Sequence, residues 1–238
     1  MTDPIGDKLD GGRSPEDAPV YLPAEAAHHL RLPKATVSYW TFGRKYKTRT
    51  GPGVFHPLID VADPGSRLLS FRNLVELHVL SSIRRTHKVE VHSIRRAIKF
   101  LQERFGSEHP LLAREMFTDG KDLFIEHYAN ILNISRHGQL EMKAVLATYL
   151  GRIEQDPGGI PIRLFPFTRP RYADSPRLIS IDPRIRFGSP CIVGSRIPTD
   201  IIADRYEAGD SIALLAEDYG RPVAEIEEVI RYEGRVAS

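Results

Sequence analysis

Cysteine is nearly absent from this 238-residue chain, which has only Cys191. One thiol allows no internal disulfide and no cysteine-rich zinc site, and it points to a reducing compartment. Apolar runs are short, and none approaches the roughly 20 residues that cross a membrane. The first nineteen residues are acidic and rich in Gly and Pro, without the apolar core of a signal peptide. A cytoplasmic protein with a disordered tail over residues 1–19 is the expectation.

Phosphate-loop glycine patterns are missing too, both G-x-x-x-x-G-K-[ST] and G-x-G-x-x-G. The nine histidines lack metal-ligand spacing. His28 and His29 are adjacent and cannot share a helical face, and His87 and His92 are five apart. They read as solvated or DNA-facing. Asp182, Asp200 and Asp204 could imitate a metal-nuclease cluster, but no His or Lys base accompanies them, and a solvated helix face accounts for them better. No cofactor, no metal and no enzymatic activity are expected.

Acidic residues are absent between Ala26 and Ile59, a window holding Arg31, Lys34, Arg44, Lys45, Lys47 and Arg49. From Arg67 to Arg104, nine basic residues face three acidic ones; from Pro198 to Ser238, ten Asp/Glu face four Arg. The net charge of +2 therefore conceals a basic front and an acidic back. That asymmetry suits a polyanion at one end and a different partner at the other.

What is present at the basic front is a pair of short helices. Leu22, Ala26 and Leu30 recur at i+4, predicting a helix near residues 23–30. Pro33 suits the start of a second, over about 34–42, with Val37 and Trp40 inward and Thr36, Ser38 and Tyr39 pointing elsewhere. Trp40 reads as a core residue. The stretch 43–57 reads as a two-stranded basic ribbon. Helices are predicted over 71–86, capped by Ser70, and over 91–105, ended by Gly106.

Further on, Phe117 and Leu123–Ile125 flank an Asp119-Gly120 pair that signals a hairpin. A strand is predicted at Ile131–Ile134, a helix from Gln139 to Leu150 and an edge strand over Pro161–Phe167. The last unit should hold strands at Leu178–Ile181, Ile185–Phe187 and Cys191–Val193, then helices over 199–207, 211–218 and 223–233.

Helix, tight turn, helix, basic ribbon is the layout of a winged helix-turn-helix whose second helix enters the major groove. Lys34, Thr36, Ser38 and Tyr39 would meet bases and phosphates there. Arg44, Lys45, Lys47 and Arg49 on the ribbon would meet phosphates.

The run Leu30-Arg31-Leu32-Pro33-Lys34-Ala35-Thr36-Val37-Ser38-Tyr39-Trp40, with Ala26-Ala27 before it, resembles the DNA-binding head of the MerR superfamily. The loop from Lys45 to His56 is longer than the usual compact wing. The C-terminus is similar to a small antitoxin-associated family catalogued as a domain of unknown function. The residues that carry this likeness are Ile179, Ile181-Asp182-Pro183, Ile185, Gly188, Pro190, Ile192, Gly194 and Arg196-Ile197-Pro198. Gly209-Asp210-Ser211 and Leu215–Tyr219 follow; Ser189 and Ser195 stand where Lys and Thr are more usual. Together the halves resemble the long, atypical VapB-type antitoxins.

That resemblance implies a homodimeric repressor of its own operon that neutralises a VapC-like PIN ribonuclease. Arg169, Arg171 and Arg196 are the candidate toxin contacts, since an arginine fork pairs with active-site carboxylates. The fold class expected is α+β: a winged helix-turn-helix domain over 20–106, a mixed α/β extension and linker over 107–176, and a small sheet with three helices over 177–238. The alternative is a MerR-like regulator that senses a small ligand through residues 107–176.

Overall fold

The structure is a computed structural model that describes residues 13–48, 51–86, 91–169, 171 and 174–234. It is a mixed α+β chain that divides into two compact units between Ile162 and Arg163. The candidate Arg49 lies outside the described residues.

The first unit opens with a turn rather than a tail from Ser14 onward. Arg72 holds it through Asp17 at 2.6 Å and Glu16 at 3.5 Å, and Ala18 is buried. Helix α1 (Pro23–His29) starts with Pro at its first position, and the Glu25 carboxylate accepts the Leu22 amide at 2.7 Å. Helix α2 (Lys34–Phe42) follows the turn at Arg31–Pro33. Val37, Trp40 and Thr41 are its buried side, and Trp40 is only 2% exposed.

Strands β1 (Arg44–Thr48) and β2 (Gly51–Phe55) pair antiparallel, from Arg44 opposite Phe55 to Thr48 opposite Gly51. An isolated bridge between Tyr21 and Leu69 then ties the start of α1 to the start of α3 (Phe71–Thr86). The Ser70 hydroxyl accepts the Asn73 amide at 3.3 Å, which is the predicted cap.

Helix α4 (Val91–Phe105) buries the stripe Ile94, Ala97, Ile98 and Leu101. Helix α3 buries polar groups as well: His78 reaches the Tyr149 carbonyl at 3.1 Å, and Glu76 meets His109 at 3.1 Å. These two histidines are thus tied into the core and its edge, not solvated as their spacing suggested.

The predicted hairpin at Asp119-Gly120 is absent. Helix α5 (Gly120–Leu132) stands there and takes in the first two residues of the predicted strand at 131–134, before a left-handed Asn133 ends it. Phe124, Ile125, Tyr128 and Ala129 share one helical face and are buried. Gly120 serves packing rather than turning, because a Cβ there would lie 2.7 Å from the Glu115 carbonyl and 2.8 Å from the Phe105 ring. Helix α6 (Arg136–Leu150) follows, and α3 packs on α6, α4 on α5, and α5 on α6. Helices α5 and α6, within the segment expected as an extension, thus complete a bundle with α3 and α4.

Strands β3 (Ile153–Gln155) and β4 (Pro161–Leu164) form a short ribbon, and the chain divides within β4. In the second unit, Leu164 bridges Ile181 beside the antiparallel pair β5 (Ile179–Ser180) and β6 (Cys191–Ile192). Residues 186–188 make a 3-10 turn, not the predicted strand, with Arg186 and Phe187 left-handed at φ 48° and 55°. Asp182 causes the turn: its carboxylate accepts the Arg184 amide at 3.0 Å, and its carbonyl accepts the Ile185 amide at 2.9 Å. Helices α7 (Thr199–Glu207), α8 (Ile212–Tyr219) and α9 (Val223–Glu233) enclose Ile179, Ile192, Ile202, Leu215, Ile226 and Val229. Buried Cys191 belongs to this unit, and burial pushes its thiol pKa up.

Candidate nucleic-acid interface

At 100° per residue, burial of Val37, Trp40 and Thr41 turns Ala35, Tyr39 and Phe42 to the opposite side of α2. Thr36 and Ser38 then lie on opposite flanks of that outer face. Lys34, at the first turn, is exposed. All four candidates, Lys34, Thr36, Ser38 and Tyr39, lie on α2.

The hairpin alternates by strand geometry. Arg44, Tyr46, Gly53 and Phe55 share one face, and Lys45, Lys47, Pro52 and Val54 share the other. Arg44, Lys45 and Lys47 are all exposed. Tyr46 lies over Gly53, where a Cβ would stand 2.6 Å from the ring. The first face joins α2 in lining an open cleft of about 610 Å³, formed by Ala35, Thr36, Ser38, Tyr39, Gly43, Arg44 and Tyr46.

An aromatic stack fixes the angle between helix and hairpin. Tyr39 stacks on Phe55 with centroids 3.8 Å apart, and the Arg95 guanidinium sits 4.4 Å from the Phe55 centroid. Arg95 also donates to the His56 carbonyl. Burial raises the Tyr39 phenol pKa above its ordinary value, against the opposing charges of Arg95 and Arg44. At neutral pH the phenol is thus a proton donor as well as an acceptor.

Two further arginines meet α2 from outside it. Arg67 sits on a turn closed by the Asp63–Leu68 bridge. Its guanidinium is 4.0 Å from the Phe42 centroid, and Nη2 donates to Ser38 Oγ at 3.3 Å. Arg84, near the end of α3, donates from Nη1 to Thr36 Oγ1 at 2.8 Å. The sequence reading did not single out Arg67, Arg84 or Arg95. The only signal was the basic excess from 67 to 104, which does not say which residues face α2.

In the second unit the three candidate toxin contacts differ in kind. Arg169 forks onto Glu228, with Nε 3.1 Å from both oxygens and Nη2 2.7 Å from Oε2. Glu228 is 1% exposed and also accepts from the Thr168 hydroxyl and Arg231. Burial alone would raise its pKa. The hydrogen bonds from Arg169 and Thr168 and the charge of Arg231 outweigh burial and hold the carboxyl below its usual range. Arg171 is exposed and, with Arg169, Arg231 and Asp174, lines a cleft of about 500 Å³. Arg196 is exposed on the turn between Ile192 and Ile197.

Asp182 is buried and paired with Arg184 at 2.9 Å and Arg163 at 3.4 Å. Among the described residues, no group of three His, Cys, Asp or Glu side chains is placed to hold a metal ion.

Residues 19–98 match the family described as "Putative DNA-binding HTH domain", and residues 179–232 match "Protein of unknown function (DUF433)". Over 222 residues the chain is 30% identical to "Putative antitoxin VapB45" of Mycobacterium tuberculosis, covering 86% of this chain and 89% of that relative. The chain belongs to the VapB45 family. "Uncharacterized protein Rv2308" of the same organism is 26% identical over 227 residues, covering 91% of this chain and 90% of the relative. The crystal structure of Rv2018 from Mycobacterium tuberculosis shares the fold, with a TM-score of 0.65 at 22% identity over 90% of this chain and 98% of that one.

The helix-turn-helix match of this VapB45 relative runs from before α1 into the first half of α4, so Arg67, Arg84 and Arg95 fall inside it with the residues of α2 and the hairpin. The C-terminal match takes in Arg196 and Glu228 and leaves Arg169 and Arg171 outside. No helix among the described residues is long and apolar enough to cross a membrane.

Proposed function

We propose that this chain is the antitoxin of a type II toxin–antitoxin pair. It binds operator DNA through α2 and the basic hairpin, as a cytoplasmic homodimer that represses its own operon, and it neutralises a VapC-like PIN ribonuclease through its second unit. It performs no catalysis of its own. The observation that carries the DNA half is the cleft itself. The outer face of α2 and the Arg44–Tyr46 face of the hairpin line one open concavity, with exposed Lys45 and Lys47 behind it. Two-fold symmetry would match the protein to a palindromic operator and compensate for the weak binding of a single head.

The toxin half is supported by kinship with a relative named as an antitoxin and by exposed arginines in the second unit. A PIN-type active site holds Mg²⁺ on carboxylates, and an inserted guanidinium competes for them. Exposed Arg171 and Arg196 can make that contact. Arg169 supports the surface from below through Glu228.

The ligand-sensing alternative needs an apolar cavity within 107–176. Leu111, Leu112, Phe124, Ile125 and Tyr128 are instead buried in the fold. The test is co-expression with the product of the adjoining gene, followed by ribonuclease and gel-shift assays. Co-purification, loss of ribonuclease activity and a shift of the DNA upstream of the operon are expected. A chain that neither binds that product nor shifts duplex DNA would refute the proposal.

A further inference from the structure

We propose that Arg67 and Arg84 are a pair of phosphate contacts, one for each strand of a DNA duplex, that grip the two backbones on either side of α2. The inference rests on the reading that α2 enters the major groove, and it identifies residues that neither the helix nor the hairpin supplies.

Helix α2 is poor in positive charge. Its sequence, Lys-Ala-Thr-Val-Ser-Tyr-Trp-Thr-Phe, contains one cation, Lys34, at its very start. Ala35 and Tyr39 occupy the middle of the outer face, with short hydroxyls on the flanks. The major groove is about 12 Å wide, and a helix with its side chains is about 10–12 Å across. A helix lying in the groove therefore presents its middle to base edges and its flanks to the two sugar–phosphate walls. Each flank of α2 carries a guanidinium delivered from another element. Arg84 comes from α3 to the Thr36 flank at 2.8 Å. Arg67 comes from the 63–68 turn to the Ser38 flank at 3.3 Å, lying over Phe42.

The company these arginines keep separates them from the arginines paired to carboxylates. Arg72 pairs with Glu16 and Asp17, Arg205 with Asp210 and Asp218, and Arg221 with Glu225. Those charges are compensated within the protein. Among the described residues, Arg67 and Arg84 meet only a hydroxyl each and, for Arg67, an aromatic face. Both are exposed. A hydroxyl orients a guanidinium without cancelling its charge, so each side chain is pre-positioned and still attractive to an anion. Arg67 is also held at φ 59°, in the left-handed region, on a turn whose Gly65 and Ser66 amides are fixed by Asp63 at 2.9 and 3.1 Å.

The experiment uses the full chain and a duplex chosen by selection from a randomised library, with an unrelated duplex as comparison. Binding is followed by fluorescence anisotropy from about 50 to about 200 mM salt. Arg67→Ala and Arg84→Ala should each lower the log–log salt slope by about 0.9, and the double variant by about 1.8. Affinity should fall alike on both duplexes, and the selected base preference should not move. Arg67→Lys and Arg84→Lys should keep the slope. Weaker binding with an unchanged slope would reduce the arginines to braces for α2 and overturn the inference. A shifted base preference with an unchanged slope would make them base readers and overturn it as well. If the unsubstituted chain shows no salt-dependent duplex binding, the DNA reading itself falls, an outcome distinct from either of these.

Discussion

Replacing Gly43 by Ala should detach the hairpin from α2. Gly43 links α2 to β1 at φ 70° and ψ −169°, a conformation populated almost only by glycine. Forcing Ala into it costs about 1–3 kcal/mol. A Cβ at this position would also stand 2.2 Å from the backbone oxygen of Phe55, where ordinary contact begins at 3.4 Å. The obstructing atom is backbone, so no rotamer relieves it, and the strand must retreat. Such forced shifts cost about 1–3 kcal/mol more. A total near 4 kcal/mol would lower the melting transition of the first unit by roughly 8–16 °C.

Gly106 is the internal control. It is left-handed at φ 63°, but a Cβ there meets nothing within 4 Å, so Gly106→Ala should cost only about 1–2 kcal/mol. Because the retreating strand carries Phe55, Gly43→Ala should also break the Tyr39–Phe55 stack and lose DNA affinity below the melting temperature, which Gly106→Ala should not. Calorimetry and anisotropy on the two variants decide the matter. Equal melting shifts, or full DNA affinity in Gly43→Ala, would refute the view that the hairpin is held at a fixed angle to α2.

Lys45→Ala with Lys47→Ala should weaken binding to all duplexes alike and lower the salt slope by about two units, since an exposed hairpin supplies charge rather than base readout; an unchanged slope would remove the hairpin from the interface. In ribonuclease inhibition at matched folded concentration, Arg171→Ala and Arg196→Ala should lose potency while Arg169→Ala keeps it but melts earlier; equal loss in all three would place Arg169 at the contact. The folded pKa of Glu228 lies below the ordinary carboxylate value, so its contribution to stability is present at neutral pH and lost as pH falls through that folded value. The stability gap between the unsubstituted chain and Glu228→Gln should therefore be widest near neutrality and close in acid, and a gap that grows as pH falls would contradict the Arg169–Glu228 pairing.

The legible part of this fold was whatever local pattern decides. Helices α2, α3 and α4 sit where periodicity and caps put them, because Val37 and Trp40, or Ile94, Ala97, Ile98 and Leu101, announce a buried stripe without help from elsewhere. The errors lie where a local signal has two physical meanings. Asp119-Gly120 suits a hairpin turn and equally a helix start pressed against another backbone, and only the packing against Glu115 and Phe105 chooses. Ile185-Arg186-Phe187 has strand composition, yet the Asp182 carboxylate captures the Arg184 amide and bends the chain first. At the proposed interface, the placement of the candidates on α2 and the hairpin was legible because they are contiguous in sequence. Arg67 and Arg84 were not, because 29 and 48 residues separate them from the hydroxyls they meet.

Arginine makes the same point about function. Charge runs count guanidinia, but what a guanidinium can do depends on whether a carboxylate already holds it. In α7 to α9 the helix spacing alone would permit a second DNA reader. Yet Arg205, Arg221 and Arg231 are each paired with carboxylates of the same unit, while Asp200, Asp204, Glu207, Glu217 and Glu227 are exposed. The surface those helices offer keeps the acidic excess of their composition, and it repels phosphate. At α2 the balance reverses, since no acidic residue lies between Ala26 and Ile59 and the arginines reaching it from α3 and the 63–68 turn bring uncompensated charge. The charge that each part of the chain can offer a partner is therefore set less by where the arginines fall in the sequence than by where the carboxylates that could neutralise them fold.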